Sequence, residues 1–273
     1  MADLALPLDH AVYFRENDLV IFEQLAVKVE MDTISNPEYF SWLDEMIDRV
    51  GSLVPGVDIV EKPSARKAPP LNTAIYYDTD DYQILSTGAL LRTSCNEITH
   101  AFCAFKMAQD QHSVRRDHRY VFAHEEKRTI QAAPDSPSAI AIVNRLLARQ
   151  DIDHPGRRLE QFCSIDPRNL RPAVRLDDYR YTFFVWIDRR DALRCSIDRA
   201  FVTNLRVPQE KRQQMPVSEV ELAIYPRIDS DVARDRRVVQ LIKLLSDSLC
   251  ERFHVCVTSQ IKYQRAARAL GIW

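Results

Sequence analysis

The sequence predicts an α+β protein, built on a closed β-barrel or a large antiparallel sheet with helices packed on its outside. Segments with the two-residue alternation typical of strands recur along most of the chain. Most of these segments are joined by short turns, and helical patterns lie near the two ends and once in the middle. With 273 residues, the chain is long enough to bury a substantial core.

A half-buried strand is predicted first, because Leu25, Val27 and Val29 alternate with polar or small residues over positions 20–30. Further strands are predicted at residues 73–78, 89–94, 100–107, 118–127, 172–176, 178–187, 192–199, 201–206 and 217–225. Ser35 and Pro37 are typical of a helix start. Helices are predicted from that point and at residues 80–87, 136–150, 231–252 and 259–270, and residues 108–117 are expected to form a loop or hairpin end.

Composition excludes several classes of protein. The formal net charge of −2 does not favour nucleic-acid or membrane binding by the whole surface. The sequence contains no apolar run near the roughly 20 residues that a membrane-spanning helix needs. The first ten residues have no basic stretch and do not resemble a signal peptide. Six scattered cysteines without a C-x-x-C pair are expected to be reduced and mostly buried, as in a cytoplasmic protein.

Glycine usage excludes the two common glycine-rich nucleotide-binding loops. The chain has only five glycines and no G-x-G, so a dinucleotide fingerprint is absent. Gly51 and Gly56 have the outer spacing of a phosphate loop, but Val57 and Asp58 follow in place of Lys and Ser or Thr. A phosphate ligand would therefore be held by side chains and not by a glycine-rich backbone.

Charged residues share one face of several predicted strands. Strand geometry places Glu219 and Glu221 on one side and Val220 on the other. Arg194 and Asp198 share a face in the same way. Such a face can point to bulk water or line an enclosed lumen, and periodicity alone does not distinguish the two.

Residues 76–92 carry the longest motif, and they read YYDTDDYQILSTGALLR. This segment resembles the Y-x-D-T-x-D-x-x-L-x-x-x-G-x-x-L-R segment of the CYTH, or triphosphate tunnel, superfamily. That family includes class IV adenylate cyclases, thiamine triphosphatases and inorganic triphosphatases. The local structure expected here is a strand, a helix capped by Asp80 and ended at Gly88, and a strand that carries Arg92.

Shorter matches follow in the order of the family and extend the resemblance over about residues 22 to 270. They are Phe105-Lys106, Arg180, Ser196-Ile197-Asp198, Glu219-Val220-Glu221 and the C-terminal IKYQR at 261–265. The resemblance implies one domain over residues 1–273, an eight-stranded antiparallel tunnel with helices outside. It also implies that a triphosphate or nucleoside triphosphate binds in the lumen.

The resemblance implies roles for individual residues. The expected phosphate-binding residues are Lys28, Arg92, Lys106, Arg180 and Lys262, and Arg116 is a further candidate that could equally lie on a solvated hairpin. The expected catalytic residues are Glu219, Glu221 and Lys262. Glu219, Glu221 and Asp198 are the expected ligands of Mg²⁺ or Mn²⁺, which bridges phosphate oxygens through carboxylates.

Two departures from the family pattern leave the function open. Gln24 and Ala26 stand where the first strand of the family has two glutamates, and Ser94 replaces a second arginine. Three hypotheses follow: a metal-dependent triphosphatase, a catalytically impaired module that senses a nucleotide or polyphosphate, and an adenylate cyclase. A homodimer or a protein partner is compatible with each, whereas membrane binding and extensive nucleic-acid binding are not expected.

Overall fold

The structure is a computed structural model that describes residues 11–16, 19–61, 66–67, 69–96, 100–107, 114–225 and 228–273. Within these ranges, the side chains of residues 11–25, 114–116 and 230 lie outside the description. None of the helices in the described residues is long and apolar enough to cross a membrane.

The described residues form eleven strands and eight α-helices. The strands are β1 (Ala11–Glu16), β2 (Leu19–Glu30), β3 (Val57–Glu61), β4 (Leu71–Asp78), β5 (Leu90–Asn96), β6 (Ala101–Lys106), β7 (Val114–Val121), β8 (Arg171–Ile187), β9 (Arg190–Asn204), β10 (Gln214–Ile224) and β11 (Val257–Thr258). The helices are α1 (Asn36–Leu53), α2 (Gln83–Ser86), α3 (His124–Ala132), α4 (Pro137–Leu147), α5 (Pro155–Cys163), α6 (Ser230–Ala233), α7 (Arg236–Phe253) and α8 (Lys262–Ala269).

Eight antiparallel strands follow one another in a ring. Their order is β2-β10-β9-β8-β4-β5-β6-β7, and β7 pairs back with β2, where Val20 lies opposite Arg119. The short strands β1 and β11 add to β2, and β3 adds to β8. The predicted fold class, an eight-stranded antiparallel arrangement with helices outside, is confirmed.

Helices cover the outward faces of the ring. Outward residues of β8, β9 and β10, such as Phe183, Ile197 and Val220, pack in one core with α1 and α7. Outward residues of β5 and β6, such as Leu91 and Phe105, pack in a second core with α3, α4 and α5. Because strand side chains alternate, the opposite faces of these strands point into the ring.

Helix α8 occupies one end of the ring. Its Tyr263 and Ala266 pack against inward apolar side chains, among them Tyr76, Leu176 and Val202. These inward residues come from five strands: β4, β5, β8, β9 and β10. The helix thus closes the apolar end, and the charged inward residues lie beyond it.

The connection from β4 to β5 differs from the prediction in its cap. The helix predicted over 80–87 is shorter in the structure, where α2 covers only Gln83–Ser86, and the predicted Asp80 cap is wrong. Asp78 accepts hydrogen bonds from the backbone N–H groups of Ile84 and Leu85 instead, at 2.9 and 3.0 Å. Gly88 ends this turn at a φ of 74°, in the left-handed region that glycine adopts without a steric cost.

Further element predictions need correction. Strand β7 begins at Val114, inside the segment 108–117 that was predicted as a loop or hairpin end, and the short strands β1, β3 and β11 were not predicted. The strand predicted over 118–127 ends at Val121 and helix α3 follows, which the sequence did not indicate because Ile130 is the single large apolar residue of this helix. Helix α5 was not predicted and is also short. The two strands predicted over 172–187 are the single β8, and those over 192–206 are the single β9, because charged residues such as Asp177 and Arg199 interrupt the apolar pattern at the predicted breaks while the hydrogen-bonded ladder continues.

Candidate ligand site in the barrel lumen

Charged side chains from seven ring strands and from α8 converge inside the ring. They are Lys28, Arg92, Lys106, Asp117, Arg119, Asp178, Arg180, Arg194, Asp198, Glu219, Glu221, Lys262 and Arg265. The outward faces of these strands are covered by helices, and both Asp198 and Glu219 are fully buried. Exposure of the Glu219 and Asp198 face to bulk water is therefore excluded.

The inner cluster lies next to α8 and contains four carboxylates and four cations: Asp178, Asp198, Glu219, Glu221, Lys28, Arg180, Lys262 and Arg265. Lys262 Nζ lies 2.5 Å from Asp198 Oδ2 and 3.1 Å from Asp178 Oδ2. Lys28 of β2 donates to Glu219 of β10. Each of these ammonium groups thus neutralises a buried carboxylate.

Two arginines complete the inner cluster. Arg180 binds Asp198 with two parallel hydrogen bonds, from Nε at 2.7 Å and from Nη2 at 2.6 Å. The same guanidinium lies 3.9 Å from Glu221, so Glu221 has the loosest ion pair of the four carboxylates. Arg265 donates to Glu219 at 3.2 Å and to the backbone carbonyl of Ser218 at 2.7 Å. Such charge-assisted pairs are the strong class of hydrogen bond.

The cations decide the ionisation of the inner carboxylates. Burial would raise the pKa of Glu221, but Lys28 and Arg180 outweigh it and lower that pKa to about 2. Burial also opposes ionisation of Asp198, yet Arg180 and Lys262 hold its pKa well below the ordinary range. Asp178 differs, because burial and the neighbouring Asp198 raise its pKa against the pull of Lys262.

The outer cluster lies on the β5–β6–β7 side and extends to β9. It contains Arg92, Lys106, Asp117, Arg119 and Arg194. Lys106 Nζ lies 3.1 Å from Asp117 Oδ2, and Arg119 Nη2 lies 2.6 Å from the same oxygen. One carboxylate therefore serves two cations in this cluster. Among the described residues, neither Arg92 nor Arg194 forms an ion pair.

Titratable groups beside the outer cluster respond to its positive charge. The pKa of Lys106 is lowered to about 8, chiefly by burial. Repulsion from Arg92 and Arg119 also lowers it, whereas the nearby Asp117 acts to raise it. The pKa of His100 is lowered to about 4, first by burial and then by Arg119 and Arg92. His100 is therefore neutral at pH 7, and the cluster carries four positive charges against one negative charge when Lys106 is protonated.

Three carboxylates are close enough to share one cation. One oxygen each from Asp198, Glu219 and Glu221 lies within 4.8 Å of the others. Carboxylate oxygens are the donors that Mg²⁺ and Mn²⁺ prefer, so these residues fit the group in donor type. Ala26 also faces the lumen but offers no ligand atom, as the sequence implies.

The structure brings most of the predicted site residues together. Lys28, Arg180, Asp198, Glu219, Glu221 and Lys262 meet in the inner cluster, and Arg92 and Lys106 lie in the outer one. Arg116 belongs to β7, but its side chain lies outside the described residues, as does that of Gln24. The roles of all these residues stay predictions.

Five lumen residues were not singled out as site residues from the sequence. They are Asp117, Arg119, Asp178, Arg194 and Arg265. Arg265 ends the IKYQR segment that the resemblance used, and Arg194 shares a face with Asp198, so both had a signal. Asp117 had none, because it lies where a loop was predicted.

The fold and site define an antiparallel barrel with a charged, helix-capped lumen. No family model and no curated protein matches the sequence. Similar solved structures include a candidate adenylate cyclase of Bacillus halodurans, at 13% identity and TM-score 0.46, over 83% of this chain and 90% of that one.

Another is a candidate adenylyl cyclase of Hippeastrum described as having a dominant triphosphatase activity, at 12% identity and TM-score 0.49, over 89% and 96% of the two chains. A Mimivirus capping enzyme triphosphatase follows at 10% identity and TM-score 0.31, over 83% and 88%.

Proposed function

We propose that this protein binds a triphosphate-containing ligand in the lumen of its barrel. The observation that carries the proposal is the excess of positive charge in the outer cluster, where Arg92 and Arg194 have no carboxylate partner among the described residues. The buried Nε of Arg92 also has no hydrogen-bond partner in the described ranges. Because an unpaired buried donor is costly, an arginine kept in this state is suited to an anion that arrives from outside.

The lumen chemistry suits a chain of phosphates. Each terminal phosphate carries about −1.5 to −2 charges and three acceptor oxygens at pH 7. Arg92 and Arg194 can each offer two parallel donors to such oxygens, and Lys106 adds a compact charge. The inner cluster would meet the deepest phosphate through Arg180 and Lys262. A single phosphate would leave part of the outer charge unmatched, which favours a polyphosphate.

Hydrolysis of the ligand is the second candidate function, and the convergence of Asp198, Glu219 and Glu221 favours it. Mg²⁺ or Mn²⁺ bound there would neutralise phosphate oxygens and lower the pKa of a water molecule. Glu219, Glu221 and Asp198 would hold the cation, with Lys262 beside them to stabilise charge on the phosphoryl group.

Two alternatives remain distinct from a triphosphatase. A module that binds without turnover is favoured by Ala26, which removes one carboxylate ligand from the lumen wall. An adenylate cyclase would need a pocket for the base, and no contact among the described residues identifies one. The six free cysteines fit a reducing compartment, so we place the protein in the cytoplasm.

The test is thermal unfolding with inorganic triphosphate, ATP or GTP, in EDTA and with Mg²⁺ or Mn²⁺, together with assays for phosphate and cyclic nucleotide. A ligand at 100 times its Kd stabilises the native state by about 2.7 kcal/mol. Stabilisation with phosphate release that Glu221→Ala abolishes identifies a triphosphatase. Stabilisation without turnover identifies a binding module. If no phosphate compound raises the melting temperature, the proposed function is wrong.

A further inference from the structure

The carboxylates that could hold a metal already have cationic partners. Glu219 accepts from Lys28 and Arg265, and a second ammonium, that of Lys262, lies 3.6 Å from it. Both oxygens of Asp198 accept from Arg180, and one of them also accepts from Lys262. Glu221 alone in the trio keeps partial exposure, 23% of its side chain, and a loose ion pair.

The carboxylates of the inner cluster are matched by cations without an added ion. The four carboxylates carry at most four negative charges, and two lysines and two arginines face them, although Arg265 also shares its charge with Asp32. A divalent cation entering alone would meet two ammonium groups in direct contact with its ligands. Like charges at such short range repel strongly where water is scarce.

The four cations differ in how firmly they are held. Arg265 is held in place by hydrogen bonds to the backbone carbonyl of Ser218 and to Asp32, both at 2.7 Å. Arg180 is held by two parallel hydrogen bonds from its planar guanidinium to Asp198. Lys28 and Lys262 present a point charge on a flexible four-carbon stem. An ammonium group of this kind can turn from a carboxylate to a phosphate oxygen without a change in the backbone.

We propose that Lys28 and Lys262 are resident cations of the carboxylate cluster, so that the lumen accepts a divalent cation only together with a triphosphate. The inference rests on the proposed function, since the triphosphate is the anion that draws the two ammonium groups from Glu219 and Asp198. The released carboxylates then need a new positive partner. By thermodynamic reciprocity, the metal raises the affinity for triphosphate by the same factor.

The first measurement uses the wild-type protein and Mn²⁺, with free Mn²⁺ followed by electron paramagnetic resonance. Mn²⁺ is titrated into protein alone and into protein saturated with imidotriphosphate, whose P–N–P bridges resist hydrolysis. A blank without protein subtracts the Mn²⁺ held by the ligand in solution. We expect at least tenfold tighter binding in the loaded protein, and equal affinities would overturn the proposal.

The second measurement removes one resident cation. Mn²⁺ alone should bind Lys28→Met at least tenfold more tightly than it binds the wild type. Lys243→Met is the matched control, because Lys243 lies exposed on α7 and, among the described residues, forms an ion pair only with Asp247 of the same helix. Mn²⁺ binding by Lys28→Met that equals the wild type would contradict the proposal. If this variant does not fold, the wild-type comparison decides.

The two failures can be told apart. If imidotriphosphate does not bind the wild type with or without Mn²⁺, the proposed function is wrong. If it binds but leaves the Mn²⁺ affinity unchanged, triphosphate binding stands and the resident-cation proposal is wrong.

Discussion

Lys262 Nζ lies 2.5 Å from Asp198 Oδ2 and joins the first residue of α8 to β9, 64 positions earlier in the chain. The same ammonium contacts Asp178 of β8 at 3.1 Å. The helix that closes the apolar end of the ring therefore also supplies a charge to the lumen. Its docking and the electrostatics of the site cannot be changed independently.

Loss of this ammonium should destabilise the fold. Lys262→Met leaves Asp178 and Asp198 short of a partner in a buried site, and removal of one member of a buried ion pair costs about 3–5 kcal/mol. Urea unfolding followed by circular dichroism measures the change. Lys243→Met on the exposed face of α7 should change stability by less than about 0.5 kcal/mol. A Lys262→Met protein as stable as the wild type would contradict the prediction.

The outer arginines should contribute to ligand affinity more than to stability. Arg92→Gln and Arg194→Gln should each weaken triphosphate binding by about 1.5–3 kcal/mol, because each removes charged donors from the phosphate oxygens. Neither should lower the melting temperature of the free protein, since both side chains lack an ion pair within the part of the chain that the structure describes. Isothermal titration calorimetry measures the affinity. The control is Arg49→Gln on α1, whose guanidinium pairs with Glu45 at the surface.

Ligand affinity should fall as the pH rises through about 8, the lowered pKa of Lys106. The free protein loses the Lys106 proton above that pH, while a bound anion favours the charged ammonium, so binding must take up a proton. The affinity should decrease about tenfold per pH unit above pH 8, until the pKa of the complex is reached. Titrations at pH 7.0 to 9.5 measure it. Lys106→Arg should abolish the dependence, and a flat wild-type profile would count against Lys106 as a ligand.

Tyr263 should anchor α8 through its hydroxyl group. Tyr263 Oη donates to Asp78 Oδ2 at 2.9 Å, while its ring stacks on Tyr76 at 4.6 Å between centroids. Tyr263→Phe keeps the stacking and removes a hydrogen bond to a buried carboxylate, worth about 1.5–3 kcal/mol. Thermal and urea unfolding measure the loss. Tyr179→Phe is the control because Tyr179 is 39% exposed, and equal effects of the two changes would refute the anchor.

Local patterns predicted the eight ring strands, β7 only in part, and the pairing of side chains on a face, but not the short strands β1, β3 and β11 that add to the ring. The alternation around Glu219 and Glu221 placed them on one side of β10, where the structure has them. Short polar segments were less predictable. Helix α3 buries only one residue, so its sequence has too few apolar positions to predict that it packs on the core.

The sequence by itself determined which residues share a strand face, and the resemblance named most of the lumen residues. Only the tertiary structure decided which way that face points, because period-two alternation is the same for a solvated sheet and for a barrel interior. The tertiary structure also decided which charged side chains form ion pairs. The contact between Glu219 and Lys28 spans 191 positions, and no local pattern encodes a pair that forms only when the ring brings β2 beside β10.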